Sequence, residues 1–174
     1  MATVFDIIKK EGGTPEKSLA WYRKKINQIS NKISAAGLMR SGKLYSTPQT
    51  NGLNFFRYNP KWKEILPYYD LFPLVLPIQS APGGFLGVNF HYLPIQLRMR
   101  LFETLADKNF KGDYRALKNV KEIKPTLKHY LRSQLASKFL RLEEDEFAPA
   151  IFMPVQQFRK AGASTVWSKS RKMI

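Results

Sequence analysis

The segment LFPLVLPIQSAPGGFLGVNFHYLP, residues 71–94, decides how this chain folds. Leu71 to Ile78 is apolar and strand-like, but Pro73 and Pro77 remove backbone donors, so an edge strand or a bulged strand is expected. Ala81-Pro82-Gly83-Gly84 is a turn signal. Phe85 to Tyr92 reads as the return strand of a hairpin, with Gly87 marking a bulge or a close backbone approach. Pro94 then opens a helix from Ile95 to about Asp107, placing Leu97, Leu101 and Leu105 on one face. Gly83-Gly84-Phe85-Leu86-Gly87 lacks the Lys-Ser/Thr of a phosphate loop, and no helix follows it directly, so the glycines belong to the turn.

Upstream, Leu53 to Tyr58 is a short apolar and aromatic strand, and Met39 to Gly52 is an irregular hinge rich in Gly, Ser, Thr, Pro and Asn. Before the hinge, Thr14-Pro15-Glu16 predicts a helix start, with Gly37 as its stop. Leu19, Tyr22, Ile26, Ile29 and Ile33 follow at steps of 3, 4, 3 and 4, a helical stripe. Downstream, Asp113 is expected to cap a helix from Tyr114 to Ile123, and Pro125 to open another from Thr126 to about Leu142. In that second helix Lys128 and Arg132, four apart, would share a face. The run Glu143-Glu144-Asp145-Glu146 would end it, Ala150 to Val155 would form a last strand, and Ser164 to Ile174 would be a basic tail around Trp167. The fold class expected is α+β: a small, mostly antiparallel sheet with packed helices. Residues 1–47 would be a basic helical arm, packed apart from its own core or on a neighbouring subunit, and residues 48–174 the core with a basic C-terminal tail.

Charge points outward. The 174 residues hold 29 Lys and Arg against 13 Asp and Glu, a formal charge of +16. Self-repulsion of that size adds nothing to a fold, so a polyanionic partner is implied: nucleic acid first, an acidic protein surface second, an anionic membrane third. Residues 1–47 hold 9 basic and 3 acidic residues, residues 48–113 hold 7 and 5, and residues 114–174 hold 13 and 5. The flanks carry the charge and the centre is nearly neutral. Three clusters are candidate phosphate contacts: Arg23, Lys24, Lys25 and Lys32; Lys118, Lys121, Lys124, Lys128 and Arg132; and Lys169, Arg171 and Lys172. Each cluster alone also fits an ordinary solvated face. The stripe Leu19, Tyr22, Ile26, Ile29 and Ile33 is a candidate docking face for another subunit.

Chemistry is sparse. No cysteine is present, which removes disulfides, thiolate zinc and cysteine nucleophiles. His91 and His129 are the only histidines; His91, inside Phe90-His91-Tyr92, is expected to be a packed, hydrogen-bonded imidazole. The four consecutive acids at 143–146 point in different directions without ligand spacing. No catalytic residue, metal site or cofactor is expected. No stretch has the apolar length of a signal or a membrane span, so neither secretion by a classical signal nor a membrane partner is expected.

Several motifs together resemble a known group. They are Phe56-Arg57-Tyr58-Asn59-Pro60-Lys61, Leu66 to Leu74, Gly84 to Pro94, Lys128-His129-Tyr130-Leu131 and Val166 to Lys172. This set is similar to a small virion protein family of contractile-tailed bacteriophages, of the DNA end protector type, across most of residues 53–174. The resemblance implies a non-enzymatic protein that sits in the virion after assembly from the host cytoplasm, in several copies, beside other phage subunits. With the charge, it implies contact with double-stranded DNA or its ends without sequence specificity. Two alternatives stand beside it: a neck or baseplate component binding acidic protein surfaces, and a metal-dependent phage nuclease using Asp70, Glu103 or the 143–146 acids.

Overall fold

The computed structural model describes residues 3–107 and 114–174. Three helices lead: α1 (Val4–Lys10), α2 (Leu19–Ile29) and α3 (Ala35–Met39). Then come β1 (Leu44–Tyr45), β2 (Asn54–Phe55), β3 (Tyr69–Asp70), β4 (Leu74–Ala81), β5 (Gly84–Asn89) and α4 (Ile95–Ala106). The last third carries β6 (Leu127–Leu131), β7 (Phe139–Arg141), α5 (Glu144–Ala150), β8 (Phe158–Arg159) and α6 (Ala163–Met173). Among the described residues six strands form one antiparallel sheet in the order β1-β7-β2-β4-β5-β6, and β3 pairs with β8 apart from it. The α+β class read from the sequence is the class observed.

The hairpin stands where its turn residues put it. Ala81 faces Gly84, and Gly83 holds φ at 75°, which a side chain would resist. Of the two options for the proline-bearing strand, the bulge is the one formed: β4 is central, and its register shifts between Pro77 and Gln79. Only Leu74 and Val75 of β4 pair with β2, so Pro77 lies beyond that ladder and its missing donor interrupts nothing there. Period-two alternation splits the sheet's side chains between two faces. Phe55, Leu74, Leu76, Val88 and Leu140 join the main core, while Phe56, Val75, Phe85, Tyr130 and Phe139 form an aromatic cluster on the other side.

Several expectations need correction. The helix expected to start at Pro15 is α2 and starts at Leu19: Ser18 Oγ accepts from the Trp21 amide at 3.1 Å, and the Thr14 carbonyl accepts from the Tyr22 hydroxyl at 2.7 Å. It stops at Ile29, and Gly37 lies inside α3, where its amide donates to the capping Ser34 Oγ. This segment does not pack apart. Tyr22, Ile26 and Ile29 are buried in one cluster with Phe5, Ile8, Leu38, Leu105, Phe147 and Met153, and α2 rests on α5.

The helix expected over 126–142 is two strands, β6 and β7, joined through a short 3-10 turn at Arg132–Gln134. The open edge of β5 offers five paired positions to Leu127–Leu131, and that non-local pairing overrides a helix-like spacing. The helix expected over 114–123 is two 3-10 segments, Tyr114–Asn119 and Lys121–Thr126, the second of which contains Pro125. Its cap Asp113 lies outside the described residues. The 143–146 acids open α5 rather than ending a helix: the Glu143 amide donates to Glu146 Oε1 at 2.8 Å, and acids there meet the positive end of the helix dipole. Ala150 to Val155 is not a strand: Ala150 ends α5, the chain turns after it through Phe152 N–Pro149 O and Met153 N–Ala150 O bonds, and these residues are buried apart from Pro154. The expected C-terminal tail is the helix α6.

Candidate nucleic-acid interface

The 91–92 turn is the pivot of the site. His91 is fully buried, and its Nδ1 lies 2.7 Å from Asp70 Oδ2. The same carboxylate accepts from Asn89 Nδ2 at 3.0 Å and from the amides of Phe72 at 3.0 Å and Gln157 at 2.9 Å. Burial works to raise the Asp70 carboxyl, but His91, Asn89 and Gln157 outweigh it and leave it below its ordinary value. Burial also holds the His91 imidazole below its ordinary value against the pull of Asp70. The pair is therefore a neutral imidazole donating Nδ1–H to an ionised carboxylate. The expected structural role of His91 matches this geometry.

Both shifts have the same sign for stability. A folded-state pKa below the unfolded one means that the unfolded chain binds more protons, so stability falls as pH falls. The loss is expected to begin below about pH 6.5 as the unfolded histidine charges, and to deepen below about pH 4 as the unfolded aspartate protonates. Melting temperatures of His91→Gln should lose the upper part of that slope. An unchanged profile between pH 7 and 5 would show that the pair does not couple folding to protons.

Two further contacts seat α6 on this turn. Trp167 Nε1 donates to the His91 carbonyl at 2.8 Å, and Ser170 Oγ donates to the Tyr92 carbonyl at 2.7 Å. The helix also packs on the 121–126 segment. Two of the three basic clusters are thereby brought together. Lys121 and Lys124 are exposed on one side of the junction, and Lys169, Arg171 and Lys172 are exposed on α6. Lys118 is exposed too, with its ammonium donating to Gln79 Oε1 at 3.0 Å.

Lys128 and Arg132 are not on a shared helix face: Lys128 lies in β6, Arg132 opens the turn just past it, and they line different cavities. Arg132 is exposed at the rim of a cleft of about 490 Å³ with Thr47, Thr50, Gln79, Phe85 and Phe139. Lys128 is half-buried, its Nζ 4.0 Å from the centre of the Tyr92 ring, and burial pulls its pKa down to about 8. The first cluster is separate, on α2 and the turn after it. Lys24 and Lys32 are exposed there, Arg23 is half-buried, and the Lys25 ammonium sits 3.6 Å from Glu11. Of the expected docking stripe, Tyr22, Ile26 and Ile29 are inside the core, and Leu19 and Ile33 are half-buried against it.

Sequence reasoning missed the aromatic pocket beside Lys128. It measures about 250 Å³ and is walled by Tyr58, Trp62, Tyr68, Tyr69, Tyr92 and Tyr130. Trp62 is 59 % exposed on the 60–66 loop. Lys160 fastens that loop: its ammonium donates to the carbonyls of Glu64 at 3.1 Å, Leu66 at 2.9 Å and Lys63. The one local signal was the run Pro60-Lys61-Trp62-Lys63, an aromatic ring between cations. The nuclease alternative finds no support in the arrangement of acids. Asp70 spends its oxygens on four donors, and among the described residues no three His, Asp or Glu side chains are grouped to hold a metal ion. Among the same residues no helix is long and apolar enough to cross a membrane.

No curated protein and no solved structure matches this chain. A family model described as Phage T4 terminal DNA protecting protein matches residues 3–170, nearly the whole length. That span takes in the N-terminal helices, the sheet, the aromatic pocket and all but the last turn of α6. The chain therefore belongs to the Phage T4 terminal DNA protecting protein family.

Proposed function

We propose that this chain is a non-enzymatic virion protein that covers the ends of linear duplex phage DNA, docking through the surface where the 118–128 lysines meet α6. The observation that carries this is the junction itself. Lys121, Lys124, Lys169, Arg171 and Lys172 come from distant parts of the sequence and meet where α6, held by two hydrogen bonds to the 91–92 turn, packs on the 121–126 segment. Among the described residues their ammonium and guanidinium groups have no carboxylate within ion-pair distance. Arg23, Lys24, Lys25 and Lys32 on α2 would serve as a second, separate contact for DNA or for a neighbouring subunit. Binding would be electrostatic, without a base-edge code, because phosphate contacts carry no sequence information. In the particle the protein would lie among other subunits in several copies, having been made in the host cytoplasm.

If five to eight cations neutralise phosphates, log affinity for duplex should fall with log salt at a slope of roughly −4 to −7. Reversing Lys124 and Lys172 to Glu should weaken binding about tenfold or more, alike for duplexes of different sequence, and should expose linear DNA to exonuclease digestion. A slope near zero, or protection unaltered by the double reversal in a folded protein, would favour docking on an acidic protein surface instead.

A further inference from the structure

We infer that the pocket walled by Trp62, Tyr68 and Tyr92 takes one unpaired nucleotide from the DNA terminus, its base against the rings and its phosphate against Lys128. The inference rests on the end-binding reading above and names the part of the DNA that is gripped. Three observations converge. First, the pocket offers ring faces: Trp62 stands exposed at the mouth and Tyr68 is half-buried, with buried Tyr92 behind it at 6.0 Å and an interplanar angle of 36°. Aromatic faces of this kind stack on any base, which suits a terminus of unspecified sequence. Second, cations ring the mouth. Lys61 lies 5.1 Å from the Trp62 ring centre, Lys169 lies 5.3 Å from that of Tyr68, and Lys128 reaches over Tyr92. Asp70, the single acid in the lining, is buried with its oxygens turned to four donors, and its one negative charge stands against these three cations.

Third, the walls are held in place before any ligand arrives. Lys160 ties down the Trp62 loop, the Tyr58 hydroxyl accepts from the Leu131 amide at 2.9 Å, and the Ser170 hydroxyl fixes the Tyr92 backbone. A volume of about 250 Å³ falls below that of drug-sized sites and suits one base better than two. Lys128 is the one half-buried ammonium of the group and has no carboxylate partner among the described residues. A phosphate would supply the counter-charge it lacks.

The test compares the full chain and two variants on two DNA probes by fluorescence anisotropy. One probe is a linear duplex with a single unpaired terminal nucleotide, and the other is a covalently closed circular duplex of the same length. Trp62→Ala removes an exposed ring and should leave the fold intact. It is expected to weaken binding to the linear probe by about 5- to 150-fold, the range of one lost base–aromatic stack, and to leave the circle unaffected. Lys128→Met should weaken the linear probe in the same sense and reduce its salt slope by about one. If the parent protein binds neither probe, the end-binding reading fails and the pocket assignment fails with it. If the parent prefers the linear probe and Trp62→Ala binds both probes as the parent does, the pocket assignment alone is overturned. Equal loss on both probes would also overturn it, because the ring would then serve general duplex contact.

Discussion

Arg98→Ala is expected to destabilise the protein by about 3–5 kcal/mol, a large share of the roughly 5–15 kcal/mol by which domains are usually stable. The side chain is 1 % exposed on α4, a helix otherwise packed through Leu105 and half-buried Ile95, Met99, Leu101 and Phe102. Among the described residues no carboxylate neutralises it at ion-pair distance. Instead Nε donates to the Leu93 carbonyl at 2.7 Å, Nη1 to the Ile151 carbonyl at 2.8 Å and Nη2 to the His91 carbonyl at 3.3 Å. The guanidinium also lies 5.4 Å from the centre of the Trp167 ring. Burial pulls its pKa down to about 9.

Truncation leaves a cavity and orphans the Leu93 and Ile151 carbonyls, while the His91 carbonyl keeps the Trp167 indole. Each orphaned group costs about 1–3 kcal/mol, and the cavity adds to that. Arg98→Met separates the terms. It restores most of the volume, removes the buried charge and keeps the carbonyls unmet, so an intermediate loss is expected. Urea midpoints with unchanged slopes would measure both variants. If Arg98→Met matched the parent, the desolvation of the charge would have cancelled its hydrogen bonds, and the guanidinium would add nothing to the net stability.

That arginine also marks a limit of reading the sequence. The helix after Pro94 was legible in its bounds, since Ile95–Ala106 differs from the expected end by one residue. Its inward face was legible only in part: Leu105 is buried as the stripe of Leu97, Leu101 and Leu105 implies, but Leu97 and Leu101 are half-buried and Arg98 is as buried as Leu105. A cation at that position has no local signature, and only the carbonyls of residues 91, 93 and 151 make its burial tolerable. The 71–94 hairpin was legible because Pro82, Gly83 and Gly84 carry turn chemistry in themselves. The apolar stripe on α2 was legible as a stripe, yet its destination depends on α5, more than a hundred residues away.

The 127–141 segment misled for a related reason. Short apolar runs fit a helix or two strands, and the free edge of β5 made the choice. The acids at 143–146 did carry their own signal, because the helix dipole favours them at an N-terminus and disfavours them at the C-terminus assigned to them. Of the site, the second and third basic clusters were named from charge alone. Their meeting place was not, since residues 62, 68, 92, 128 and 167 come from five segments.

Gly84→Ala is expected to detach β6 from the sheet. Gly84 opens β5 opposite Leu131, and a Cβ there would sit 1.8 Å from the Tyr130 carbonyl oxygen and 2.8 Å from its carbon. Both atoms are backbone, so no side-chain rotation relieves the clash, and the two strands must part. Overpacking a core with flexible neighbours costs about 1–3 kcal/mol, so a backbone-to-backbone clash should cost about 3 kcal/mol or more. Among the described residues β6 pairs with no strand other than β5, so the Tyr58 hydroxyl, which accepts from the Leu131 amide, is left as a weaker tether. Leu127 to Leu131 form one wall of the aromatic pocket, and Arg132 lines the neighbouring cleft.

The variant should therefore lose hydrogen-exchange protection along 127–131 and bind DNA more weakly even where the rest of the chain stays folded. Gly83→Ala is the control. That residue has φ at 75° but meets only Leu131 Cδ2, at 3.5 Å, so its penalty is backbone strain of about 1–2 kcal/mol. The two neighbours thus test different physics, close approach at one and left-handed backbone at the other. Equal stability of the two variants, with β6 protected in both, would show that β5 and β6 do not approach as closely as the register at Gly84 requires.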